Sequence, residues 1–71
     1  MKKYLIVIEE TGAGYSAYSP DMPGCVATGV TRADVEKNMR RKLSFMLNEL
    51  REDGEIVPEP HTYSTYVELP A

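Results

Sequence analysis

Apolar residues first cluster at Tyr4-Leu5-Ile6-Val7-Ile8, an unbroken run with no polar alternation. Its β-branched, aromatic and bulky content predicts a strand over residues 3–10. Tyr4, Ile6 and Ile8 fall on one face, Leu5 and Val7 on the other. A strand that is apolar on both faces belongs in a sheet interior, covered on both sides. A helix can supply one cover and a partner chain the other. Thr11-Gly12-Ala13-Gly14 predicts a tight turn. Residues 15–19 predict a second, antiparallel strand that places Tyr15 and Tyr18 on opposite faces. Pro20 and Pro23 bar a strand through residues 20–24 because each removes a ladder donor. A short third strand follows over 25–28, ended by Gly29.

The period then changes from two to between three and four. Val35, Met39, Leu43, Met46, Leu47 and Leu50 form one stripe about 120° wide, the mark of a helix facing a core. Thr31 is the expected N-cap, with Asp34 in the reciprocal place of a capping box. Gly54 is the expected stop. Residues 55–61 read as a connector stiffened by Pro58 and Pro60. Over 62–69 Tyr63, Thr65, Val67 and Leu69 alternate with Thr62, Ser64, Tyr66 and Glu68, which predicts a fourth strand. The expected fold is a single α+β domain over residues 1–71 in the order β-β-β-α-β. Its four-stranded mixed sheet has the order 3-2-1-4, with the fourth strand parallel to the first and one helix on one face.

Composition narrows what such a domain can be. A chain of 71 residues buries only about 60% of its unfolded surface, so association is the economical source of extra stability. A homo-oligomer is expected. One cysteine and one histidine exclude an internal disulfide and a four-ligand structural zinc site. The unpaired cysteine points to a reducing cytoplasm. A net charge of −3 disfavours general phosphate-backbone binding and suits a basic protein partner. No apolar stretch has the length of a membrane span or a signal core.

Candidate chemistry is sparse. His61 lies in a proline-flanked connector without an evident nucleophile beside it. Cys25 has no basic neighbour in sequence to activate it and reads as a small, half-buried apolar residue. Asp21 is better explained by turn formation after proline than by metal binding with Glu9 or Glu10. The five glycines match no phosphate-binding pattern. Lys37, Arg40, Arg41 and Arg51 form a basic helix face that offers a nucleic-acid-binding alternative, with Arg40, Arg41 and Lys42 as a dense local cluster, but Asp34, Asn48 and Glu52 mix its charge. No catalytic residue, cofactor site or metal site is assigned. Five tyrosines and Phe45 exceed what so small a core absorbs, and tyrosine favours protein interfaces. Tyr15, Tyr18 and Phe45 are therefore expected contact residues for a partner, together with Asp21 and Met22 at the tip of a rigid proline-bounded loop.

Tyr18-Ser19-Pro20-Asp21-Met22-Pro23-Gly24-Cys25 followed by Thr28-Gly29-Val30-Thr31 resembles the motif of the HicB-like antitoxin family. The segments around Tyr4–Glu9, Gly14-Tyr15 and residues 53–60 are similar too, so the resemblance spans nearly the whole chain. It implies a partly degenerate ribonuclease H-like domain that neutralises a small basic mRNA interferase, a HicA-type toxin, by covering it. Such a protein needs no catalytic group. Many members carry a C-terminal helix-turn-helix or ribbon-helix-helix segment. Here the sequence stops after the expected fourth strand, so direct DNA binding is not expected of these residues.

Overall fold

The computed structural model describes residues 1–71. Three strands and one helix form: β1 (Val7–Thr11), β2 (Gly14–Tyr18), β3 (Val26–Gly29) and α1 (Arg32–Glu52). The strands make an antiparallel meander in the order β1-β2-β3. Val7 pairs with Tyr18 and Ile8 with Ala17, while Ala17 pairs in turn with Ala27 and Tyr18 with Val26. This register puts Ile8, Ala17 and Ala27 on one face and Val7, Tyr18 and Val26 on the other.

The helix starts where its capping residues require. The Thr31 hydroxyl accepts from the Asp34 amide at 3.1 Å, and the Asp34 carboxylate accepts from the Thr31 amide at 3.3 Å. Aspartate thus completes a box usually closed by glutamate. Gly54, at φ 70°, takes the left-handed conformation that ends the helix. The stripe read from the sequence is the packed one. Val35 and Met39 are fully buried, and Leu43, Met46, Leu47 and Leu50 are half-buried against the same cluster. The helix lies against β2 and β3, and Gly29 is what lets it approach. A Cβ at that position would stand 2.5 Å from the Val35 nitrogen and 2.9 Å from its Cα.

Strand bounds shift from the sequence reading by up to four residues, with β2 over residues 14–18 instead of 15–19, and three differences bear on the fold. β1 begins at Val7 instead of Lys3, and β3 at Val26 instead of Cys25. Cys25 is withheld from the ladder because its amide donates to the Met22 carbonyl and its carbonyl accepts from the Ser19 amide. The third difference is larger. Residues 62–69 join no sheet, so the four-stranded mixed sheet of order 3-2-1-4 is not formed. The three-stranded antiparallel sheet gives no support to a ribonuclease H-like description. Residues 56–71 form no backbone–backbone hydrogen bond, and the molecule is elongated, 49 × 26 × 19 Å. Its radius of gyration of 13.9 Å exceeds the value of about 11 Å expected for a compact chain of this length.

With five buried apolar residues in the core cluster, each carries a large share of the stability. Met39→Ala is expected to lower the unfolding free energy by about 2–5 kcal/mol, the usual cost of deleting a buried large side chain. Urea denaturation measures it, and a loss below about 1 kcal/mol contradicts this packing.

Candidate functional site

The proline-bounded loop between β2 and β3 is held by three backbone hydrogen bonds. Ser19 and Cys25 close it, with the Ser19 amide donating to the Cys25 carbonyl at 3.3 Å. Inside this closure the Met22 amide reaches the Ser19 carbonyl at 3.2 Å, and the Cys25 amide reaches the Met22 carbonyl at 3.2 Å. Gly24, at φ 83°, supplies the turn that a side chain would strain. The Ser19 hydroxyl donates to the Leu5 carbonyl at 2.9 Å, tying the loop to the chain ahead of β1. Met22 and Cys25 both point into the core and are 1% exposed.

This arrangement overturns the expected display of Asp21 and Met22 at a recognition tip. Met22 is core. Asp21 is 6% exposed, and its carboxylate is occupied by the chain itself. Oδ2 accepts from the amides of His61 at 3.1 Å and Thr62 at 3.0 Å, while Oδ1 accepts from the Thr62 hydroxyl at 2.7 Å. The His61 ring stands alongside, its Nδ1 3.2 Å from Oδ1. The Thr62 hydroxyl bond does most to hold the Asp21 carboxyl below the ordinary aspartate value, against the opposing effect of burial. Cys25 is pushed the other way: burial raises its thiol, only partly offset by the Lys42 charge. It is thus fully buried, beyond the half-burial expected of it, and its environment disfavours the thiolate that nucleophilic chemistry needs.

Other contacts fix the connector. Lys2 Nζ lies 2.6 Å from Glu59 Oε1, and the Tyr4 hydroxyl donates to the Pro58 carbonyl at 2.5 Å. Residues 58–62 are therefore held at three points: residues 2, 4 and 21. Sequence reasoning did not find this role for Asp21, because its partners are 40 and 41 positions away. No group of three or more His, Cys, Asp and Glu side chains is arranged to hold a metal ion.

The accessible candidates lie elsewhere. Tyr18 is 43% exposed and Val26 53% exposed, side by side on the sheet face away from the helix. A shallow concavity of about 760 Å³ joins Tyr18, Val26, Ser16 and Thr28 to Asn38, Arg41 and Lys42 of α1. The Asn38 amide group donates to the Thr28 carbonyl at 2.8 Å and braces this edge. Phe45 is exposed on the helix surface, whereas Tyr15 is half-buried against the core. Of the five expected contact residues, Tyr18 and Phe45 are exposed. Val26 is exposed beside Tyr18, which the alternation of a four-residue strand was too short to reveal.

Comparison with known proteins agrees with this geometry. Residues 4–71 match the family model described as HicB_like antitoxin of bacterial toxin-antitoxin system. The chain belongs to the HicB-like antitoxin family. It is similar to a chain in a solved HicA3 and HicB3 toxin–antitoxin complex, with 33% sequence identity and a TM-score of 0.71. That match covers 84% of this chain and 70% of the other. A curated relative, an uncharacterized 14.9 kDa protein in the rep-hol intergenic region of Haemophilus phage HP1, is 33% identical over 67 residues. That alignment takes in 94% of this chain, which spans half of the relative's length. No helix is long and apolar enough to cross a membrane.

The buried carboxylate yields a signed pH prediction. A depressed folded pKa means that the Asp21 contribution to stability is complete well above the ordinary value of 3.8 and shrinks as pH falls below it. Asp21→Asn should lower the thermal midpoint at pH 7 and flatten its fall between about pH 4 and 2. Equal acid sensitivity of the two proteins in melts across that range would contradict the assignment.

Proposed function

We propose that this antitoxin-family domain acts by binding, without chemistry of its own. Its partner is a small basic mRNA interferase of the HicA type, and the domain neutralises it by covering its active surface. The observation that carries this reading is the likeness to a chain of the HicA3 and HicB3 complex at 33% identity. The site supports it in kind. The buried Cys25 and the occupied Asp21 are structural, while Tyr18 and Val26 offer an amphipathic and an apolar surface on an uncovered sheet face. Tyrosine in such a place provides contact area at low entropic cost. The net charge of −3 favours encounter with a basic partner.

The nucleic-acid alternative is less well served by the fold. Arg40 lines a trough beside the N-terminal segment, whereas Arg41 lines the concavity at β3. The dense cluster in the sequence is thereby split between two surfaces. Phosphate-backbone binding needs such charge gathered on one.

Co-expression with a toxin-type reading frame from the same locus tests the proposal. The expected outcome is relief of growth arrest and co-purification of the two chains. Tyr18→Ala with Val26→Asp should weaken the complex at least about 10-fold, the effect of losing a central aromatic contact, and leave the circular dichroism of the free domain unchanged. Persistent arrest with no complex, or wild-type affinity in the double variant, would overturn it.

A further inference from the structure

The sheet has two outer strands, and the chain itself attends to one of them. On the β1 side, the connector is tied to the N-terminal segment by the Lys2–Glu59 pair and the Tyr4 bond to Pro58. Tyr66 shares a small hollow there with Ile6, Ile8 and Tyr15. On the other side β3 has β2 as its one strand neighbour. Two hydrogen bonds fix where its backbone groups point. The Cys25 carbonyl accepts from the Ser19 amide on the β2 side, so the Val26 amide of the same peptide unit points away from β2. The Thr28 carbonyl accepts from the Asn38 side chain of α1 and therefore also points outward. Antiparallel alternation then turns the Val26 carbonyl and the Thr28 amide outward and keeps Ala27 in the ladder. No hydrogen bond outside the helix and the sheet ladder reaches these three outward groups.

The side chains around this edge define what fits it. Tyr18 and Val26 present exposed apolar surface, and Arg41 and Lys42 of α1 line the same concavity. The ion pairs of the chain are Lys2–Glu59, Arg32–Glu36 and His61–Asp21. Arg41 and Lys42, both exposed, are thus cations without a carboxylate partner. The net charge of −3 attracts a basic protein at long range, but this patch has the opposite sign. Basic groups brought against it would be repelled, so a partner that docks here must bring carboxylates to it.

We propose that the β3 edge takes an extended acidic segment of the partner protein as an added strand. The segment's backbone pairs with the outward groups of Val26 and Thr28. Its apolar side chains cover Tyr18 and Val26, and its carboxylates meet Arg41 and Lys42. Main-chain pairing supplies affinity that any extended segment can share, while the two cations select the acidic one. Asn38 sets one end of the pairing, because it already fills the Thr28 carbonyl. The inference rests on the antitoxin reading for the kind of partner and adds the chemistry of the segment that this surface receives.

Hydrogen exchange on the free domain and on its co-purified complex with the toxin-type chain tests this. The amides of Val26 and Thr28 should exchange fast in the free domain and at least about 10-fold more slowly in the complex. Those of Ala27 and Gly29, which face β2, should be slow in both. Arg41→Glu with Lys42→Glu should weaken the complex at least about 10-fold and leave the circular dichroism of the free domain unchanged. Arg41→Lys with Lys42→Arg should retain the complex. A complex that forms without protecting Val26 and Thr28, or that ignores the charge reversal, overturns this inference and leaves the antitoxin reading standing. Persistent growth arrest with no complex overturns both. Protection of the two amides that grows with concentration in the free domain would assign the edge to a second copy. Binding of a labelled single-stranded oligonucleotide that the charge reversal abolishes would assign it to nucleic acid. Either result overturns the proposal.

Discussion

The structure depends on one buried carboxylate. Asp21 sits in a loop closed by backbone hydrogen bonds, with Met22 and Cys25 planted in the core on its far side. Its two oxygens receive the His61 and Thr62 amides and the Thr62 hydroxyl. A buried anion is tolerable only when its acceptor sites are filled, and here the filling groups come from the other end of the chain. One interaction therefore secures the loop, ends the connector and sets where the C-terminal arm departs. The Lys2–Glu59 pair is exposed and adds little by itself. It and the Tyr4 hydroxyl serve mainly to keep the connector near the N-terminal segment.

This places the motif Pro20-Asp21-Met22-Pro23-Gly24-Cys25 in a different light from a reactive or recognition loop. Proline and glycine fix its path, Met22 and Cys25 anchor it, and Asp21 clasps a remote segment. The exposed large side chains are neighbours that carry no such signature, Tyr18 and Val26 on the open sheet face and Phe45 on the helix. The loop residues thus hold a rigid frame, while the exposed residues lie outside it. Rigidity in the frame limits the entropy lost when a partner binds.

The sequence was legible where structure is local. The helix, its Thr31–Asp34 capping box, its core stripe and its stop at Gly54 all follow from spacing and residue type. The meander follows from its short turns. Contacts between remote residues were not legible. Nothing near Asp21 announces His61 and Thr62, so a clamp looked like a display. The fourth strand failed for a related reason. Alternation in Tyr63–Leu69 states that the segment can be a strand, but a strand exists only with a paired neighbour, and residues 62–69 pair with none. The same missing neighbour explains why β1 starts at Val7 although the apolar run begins at Tyr4.

The clamp itself is open to direct measurement by native-state hydrogen exchange at the amides of His61 and Thr62. Both donate to Asp21 in the folded domain, so both should exchange far more slowly than the neighbouring free amide of Glu59. In an Asp21→Ala chain that retains its helix, that protection should vanish at these two positions while the amides of α1 keep theirs. Exchange of His61 and Thr62 at unprotected rates in the wild-type chain would contradict the account.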